Sequence, residues 1–296
     1  MNLRHLRCFL ALAEELNFAR AAKRLHIEPS PLSRTIKELE LELGVVLFKR
    51  DRRGTSLTHP GKIFLDEVRN VFTALDNARQ NVQAAALGYQ STLRIALSDG
   101  AAIPNLAEIL ACCRARSPDI EIRVTEVPFS DQLRGLRSNI FDLGFSCSTS
   151  IEDSVIAKPV WYDSLMVIMP VRHPLLIHKK IPLKELLHYP LVMCHPEACS
   201  GYNWQVSQIL RNAGVKPIVA EHVKSMGMLL TLVAAGYGLG FVPFSYLKVL
   251  SHPQLVVRKL DVEHSVLTTY LLKPDMVDSP QLEAFVECLL DVVNQV

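Results

Sequence analysis

From Lys62 to Leu87 the chain runs without a proline or a glycine, while Phe64, Val68, Val71, Leu75, Ala78, Val82 and Ala85 recur at spacings of 4-3-4-3-4-3. Apolar residues so spaced return to one side of an α-helix, and a seam held over three heptads suits pairing with another helix. At ~1.5 Å per residue the helix is roughly 40 Å long. A rod of that kind divides the chain. The sequence predicts a small domain over 1–59, a linker helix over 60–88 and a larger domain over 89–296. The seam residues Phe64, Val68, Val71, Leu75, Ala78 and Val82 are expected to join two copies of the chain; the alternative is a helix packed on its own body.

Charge separates the parts on either side. Residues 1–62 hold 12 Lys and Arg against 7 Asp and Glu, whereas the remainder holds 20 against 23. A basic head on a mildly acidic body points the head alone toward a polyanion. In the head, Leu3, Leu6, Phe9, Leu10 and Ala13 share a helical face. Asn17 is suited to cap a short second helix in which Phe18, Ala21, Ala22 and Leu25 face inward. The small Ala21–Ala22 pair lets two helices cross closely. After a turn at residues 26–28, Pro31 at the first helical position, with Ser30 before it, marks the start of a third helix that buries Leu32, Ile36, Leu39 and Leu43 and stops at Gly44. Ser33, Arg34 and Lys37 then project outward, the arrangement of a helix-turn-helix with its recognition helix. The run Lys49-Arg50-Asp51-Arg52-Arg53-Gly54 reads as a basic wing against a phosphate backbone or minor groove. The bland alternative is a helical domain with a solvated basic hairpin. The expected DNA contacts are Pro29, Ser30, Pro31, Ser33, Arg34, Lys37, Arg50, Arg52 and Arg53.

The segments Leu6–Glu14, Asn17–Leu25, Leu32–Glu40, Leu43–Arg50 and Leu57–Gly61 together closely resemble the LysR-type transcriptional regulators. The resemblance is dense over about the first 65 residues and looser beyond. It implies a winged helix-turn-helix, a linker helix and a two-lobed α/β effector domain of the periplasmic-binding-protein type, an α+β multi-domain fold. It also implies Ser33, Arg34, Lys37, Arg50 and Arg53 as DNA contacts, double-stranded DNA as a partner, a small-molecule effector, assembly into dimers and tetramers, and RNA polymerase as a further partner. Many members carry Ser-Gln-Pro where this chain has Glu28-Pro29-Ser30, and that Gln often reads a base. The base preference, or the first turn of the recognition helix, is therefore expected to differ.

Beyond Gly88 strand-like runs alternate with helical ones: 92–97, 120–126, 141–145, 165–169, 191–194, 218–222, 240–243 and 266–272 as strands, with helices over 103–116, 130–138, 204–213, 225–235 and 281–293. Such alternation predicts parallel α/β units. Crossings near Tyr162 and Ser265 would divide them into a first lobe (about 89–162 and 266–296) and a second (about 163–265). Ligands of such folds sit beyond the carboxyl ends of strands, where helix N-termini offer free N–H groups. The corresponding residues are Ser98, Asp99, Gly100, Phe129, Ser130, Cys147, Cys199, Ser200, Gly201, Tyr202, Lys224, Ser225 and Pro243. A carboxylate or an aromatic compound is the expected effector, although Asp99 does not favour an anion; Phe129, Tyr202 and Trp204 would suit an aromatic body or serve only in packing.

Several chemistries find no footing. Gly236-Tyr237-Gly238-Leu239-Gly240 follows a helix and precedes a strand, the reverse of a dinucleotide-binding turn. No P-loop, metal-hydrolase spacing or esterase serine motif is present, so neither a cofactor, a metal site nor an enzyme is expected; an enzyme tethered by a DNA-binding head is the remote alternative. The longest apolar stretch, residues 226–243, is broken by glycines at 227, 236, 238 and 240. The N-terminus enters directly into an amphipathic pattern, so no membrane span is expected and a cytoplasmic location is. Seven scattered cysteines suit reduced thiols. Within Cys194-His195-Pro196-Glu197-Ala198-Cys199 two of them lie close enough to respond to an oxidant or a soft metal, the alternative to simple pocket lining. Peroxide-sensing LysR-type members carry a reactive cysteine in this part of the second lobe, although Gln208 stands where a later partner cysteine would be sought.

Overall fold

The computed structural model describes residues 1–51, 54–99, 106–151, 154–211, 214, 216–248, 250, 252–263, 265–275 and 279–294. Two compact units, Met1–Gln80 and Asn81–Val296, divide within one long helix.

In the first unit α1 (Leu3–Glu15), α2 (Phe18–Arg24) and α3 (Pro29–Leu43) precede a hairpin of β1 (Phe48–Asp51) and β2 (Gly54–Leu57), and α4 (His59–Ala86) follows. Local chemistry sets these boundaries. The side chains of Asn2 and Asn17 accept the amides of His5 and Arg20, each at 3.0 Å, as N-caps. Gly44 ends α3 in the left-handed region at φ 70°. Helix α3 starts at Pro29, two residues before the expected Pro31, because both prolines fall in a first turn whose amides need no helical partner. Glu40 Oε1 accepts the amides of Leu47 (2.8 Å) and Phe48 (3.1 Å), tying α3 to the hairpin. Thr58 caps α4, its Oγ1 accepting Gly61 N at 3.0 Å. A Cβ on Gly61 would strike the Leu47 carbonyl, so only glycine fits there.

The head's core is built on Phe9, Leu12, Leu32, Ile36, Leu39 and Leu47, with Ala21 and Ala22 buried where the helices cross. Phe64 and Val68, from the apolar seam of α4, belong to this core, and Phe64 meets Phe9 edge-on at 4.8 Å. Val71, Leu75 and Val82 remain exposed along α4. The start of the seam thus anchors the head, and the rest is open.

The second unit follows in the order β3 (Ser91–Leu97), α5 (Leu106–Arg116), β4 (Ile120–Glu126), α6 (Phe129–Arg137), β5 (Leu143–Ser146), β6 (Val155–Pro170), β7 (Lys180–Pro182), α7 (Leu183–Leu186), β8 (Leu191–Cys194), α8 (Ser200–Arg211), β9 (Val219–Val223), α9 (Met226–Ala234), β10 (Gly240–Pro243), β11 (Leu255–Asp261), β12 (Val266–Pro274) and α10 (Pro280–Asn294). The main sheet has the order β4-β3-β5-β12-β6-β11-β7, with β10 also on β6, while β8 and β9 pair separately. β6 changes partners midway. Through Ser164 it pairs with β12; from Leu165 onward it pairs with β10 and β11. We take that change, with the return at Ser265, as the boundary between two lobes. One hydrophobic cluster gathers Leu93, Ile95, Phe145, Trp161 and Phe285. Another gathers Val167, Ile168, Val192, Val206, Leu229 and Phe241.

Three differences from the sequence reading have physical causes. The first half of β6, unpredicted, carries Pro159 beside a register shift at Thr269/Tyr270 of β12, and a proline inside a strand normally argues against it. The helix expected to begin at Trp204 begins at Ser200, where small and hydroxyl residues mask its start. β7, α7 and β11 are short or weakly alternating and were not anticipated. Among the described residues no helix is long and apolar enough to cross a membrane.

Candidate functional site

The outer face of α3 carries the head's chemistry. Its buried stripe of Leu32, Ile36 and Leu39, with Thr35, leaves Pro29, Ser30, Pro31, Arg34 and Lys37 exposed and Ser33 half-buried. Arg34 Nε donates to Glu38 Oε1 at 3.0 Å, one helical turn away. Ser30, Pro31, Arg34, Thr35 and Glu38 line an open groove of about 620 Å³ together with Asn2, Arg4 and His5. Arg50 lies opposite Thr55 in the hairpin. Its side chain, and Arg52 and Arg53 altogether, lie outside the described residues.

A second site lies in the other unit, where the two lobes meet. Its cavity, of about 40 Å³, is lined by Asp99, Cys147, Asp163, Cys194, Cys199, Tyr202, Lys224, Ser225, Met226, Pro243, Leu267 and Thr269. Strand ends and helix starts deliver most of these residues. Asp99 follows β3, Cys147 follows β5, Cys199 precedes α8, and Ser225 caps α9 by accepting Met228 N at 3.3 Å. Tyr202 turns its ring inward and donates its hydroxyl to the Phe241 carbonyl at 2.9 Å. Gln205, on α8, donates to the carbonyls of Cys147 (2.5 Å) and Thr268 (2.8 Å) and accepts Thr268 N at 2.8 Å, stitching the lobes together behind the cavity.

Of the residues expected here, Asp99, Cys147, Cys199, Tyr202, Lys224, Ser225 and Pro243 line the cavity. Ser200 and Gly201 reach it through hydrogen bonds to Asp99. Ser98 is buried behind it, donating to Gln132 Oε1 at 2.8 Å. Phe129 is not among the lining residues and packs beside Leu133 and Leu136, while Ser130 is exposed. Trp204 also points to solvent. Gly100 lies outside the described residues. Asp163, Met226, Leu267 and Thr269 were missed. Asp163, Leu267 and Thr269 sit inside the crossing strands β6 and β12, where a search of strand ends does not look; Met226 was signalled only by its neighbour Ser225.

The three cavity thiols differ in acidity. Burial, reinforced by the charge of Asp99, pushes the Cys147 thiol up to about 12. Cys194 and Cys199 are hydrogen-bonded to each other, which raises Cys194 and lowers Cys199 from the usual thiol value. Among the described residues no three His, Cys, Asp or Glu side chains are grouped to hold a metal ion.

Comparison with known proteins covers both units. Residues 3–62 match the model of the bacterial regulatory helix-turn-helix protein, lysR family, and residues 87–294 match the LysR substrate binding domain. The chain is 32% identical over 261 residues to the HTH-type transcriptional regulator AlsR of Bacillus subtilis, covering 88% of this chain and 86% of that protein. It is 31% identical over 250 residues to the HTH-type transcriptional regulator YnfL of Escherichia coli, covering 84% of each. Among solved structures, CbnR, a LysR family transcriptional regulator, shares the fold at a TM-score of 0.78 and 24% identity, with 99% of each chain covered. Full-length BenM aligns at a TM-score of 0.63 and 25% identity, covering 100% of this chain and 97% of that one. A helix-turn-helix head, a linking helix and a substrate-binding-type region thus occur together and in order, and the chain belongs to the LysR family of DNA-binding transcriptional regulators.

Proposed function

We propose that this regulator binds its operator through the exposed face of α3 and the β1–β2 wing, and that a small molecule held between the two lobes controls it. The observation that carries the effector half is convergence. Residues from four separated strand ends and helix starts, belonging to both lobes, close on one cavity. A ligand that prefers one spacing of the lobes shifts the equilibrium between spacings by its differential affinity. The site is read as a sensor, in keeping with the regulator family to which the chain belongs. Pro29, Ser30, Pro31, Ser33, Arg34 and Lys37, with Arg50, Arg52 and Arg53 of the wing, are the proposed DNA contacts.

Arg34→Ala tests the head. On an operator selected from a random duplex pool, the substitution should cost ~1–3 kcal/mol and relax preference at one base position. Unchanged affinity and unchanged base preference in a binding titration would remove Arg34 from the recognition surface. The effector half is tested by titrating that operator complex in the presence of a panel of small organic compounds; if none alters affinity or footprint, the control mechanism fails.

The hydrogen-bonded Cys194–Cys199 pair supports a second reading, an oxidant-responsive one. Hydrogen peroxide would take two electrons and two protons from the pair, forming a disulfide and two waters. Mass spectrometry of peroxide-treated protein should then show a Cys194–Cys199 cross-link accompanied by altered operator binding. A cross-link without that change would leave the pair a packing element.

A further inference from the structure

We propose that Asp99 is the cavity's resident anion, a tethered carboxylate in the seat where an effector carboxylate would otherwise bind, so that this protein's effector carries no carboxylate. The seat is visible in the contacts. Asp99 is only 3% exposed, yet its carboxylate is surrounded by donors from both lobes. From the second lobe, Gly201 N donates to Oδ1 at 2.9 Å and Ser200 Oγ at 3.4 Å, both from the first turn of the 12-residue helix α8. From the first lobe, Ser146 Oγ (2.5 Å) and Cys147 N (3.2 Å) donate to Oδ2.

Backbone N–H groups at a helix start, joined by hydroxyls, form the donor set that selects carboxylates and phosphates. Here an internal carboxylate has taken both halves of it. The local backbone is shaped for this occupant. Asp99 adopts φ 65°, a left-handed conformation that aspartate tolerates better than most residues. Position 201 must be glycine, since a Cβ there would sit 2.7 Å from Asp99 Oδ2 and closer still to Ser148 N.

Two consequences concern the ligand, and they rest on the effector reading above. A second carboxylate would find the donors engaged and would meet Asp99 and Asp163, two acidic residues against the single Lys224 among those that line the cavity. The space left is about 40 Å³, well below the roughly 300 Å³ and more of ordinary ligand pockets. The sulfur-bearing residues Cys147, Cys194, Cys199 and Met226 line it together with Lys224. With Lys224 set against Asp99 and Asp163, such a lining suits a small uncharged molecule.

Asp99→Gly tests the seat in the full-length protein. The change deletes a –CH₂COO⁻ group, the atoms of acetate, while glycine accepts the φ of 65° without strain. The effector region of the variant should melt about 5–10 °C below wild type. Sodium acetate, compared with sodium chloride at equal ionic strength, should restore at least half of that loss saturably and should leave wild type unmoved. Failure of formate, acetate and propionate to stabilise the variant would overturn the proposal, as would saturable stabilisation of wild type by acetate or benzoate. If Asp99→Gly does not fold, the wild-type titration with acetate and benzoate decides alone. The two readings fail separately. A carboxylate that binds wild type and alters operator affinity keeps the effector mechanism and removes the resident anion. Acetate rescue of the variant, with no compound affecting operator binding, does the opposite.

Discussion

Val71→Asp combined with Leu75→Asp is expected to leave the protein monomeric and to weaken operator binding by roughly 10²–10⁴-fold. The two side chains are 41% and 44% exposed on α4, in line with Val82, which is 72% exposed. An apolar row left open along a 28-residue helix is the surface a second helix would cover. Two carboxylates in its middle would have to be buried without partners on pairing, at a cost of several kcal/mol each. The effect on DNA binding is larger than any lost contact because two linked heads bind a two-fold site as one event. With the link gone, each head binds a half-site alone and cooperativity disappears. Sedimentation velocity with operator titration checks both parts; a dimer that persists in the double variant would show that the pairing surface lies elsewhere.

Phe9→Ala should abolish the head's fold while sparing the rest of the chain. Phe9 is fully buried, with Phe48 at 5.3 Å and Phe64 at 4.8 Å between ring centroids. Truncating such a side chain costs about 3–5 kcal/mol, a large share of the roughly 5–15 kcal/mol that holds an ordinary domain together. The loss also reaches α4, because Phe64 lies in that helix. Hydrogen exchange should show amides of α1–α3 losing protection while those of β3, β5 and β12 keep theirs, and operator binding should vanish. Protection of α1–α3 equal to wild type would mean that the aromatic cluster is not what secures the head.

How much of this was legible beforehand follows the range of the interactions. The head is organised by neighbours in sequence: asparagine caps, a glycine stop, apolar residues three and four apart. Reading it needed no partner. The seam shows the limit, since the spacing of Phe64 and Val68 matches that of Val71 and Leu75 but only the folded head shows that the first two join its core, Phe64 against Phe9. In the larger unit, the strand-end rule found Asp99, Cys147, Cys199 and Ser225. It missed Asp163 and Thr269, which face the cavity from mid-strand, and it included Phe129, whose place at a helix start says nothing of its direction. Asp99 itself was noticed as poor company for an anion. That it is an anion already seated depends on Gly201, about a hundred residues away, and no local pattern carries that information.

The continuity of β6 has a mechanical consequence. A strand hydrogen-bonded to β12 along one half and to β10 and β11 along the other behaves as a torsion bar rather than a door hinge. Bending it would break ladder bonds on one side, whereas added twist is absorbed over its 16 residues with every bond kept. Movement of one lobe against the other should therefore be a small rotation about the strand axis. Under the effector control proposed above, a ligand of only a few atoms would suffice, because a slight turn near Leu165 displaces the far edge of the sheet by much more.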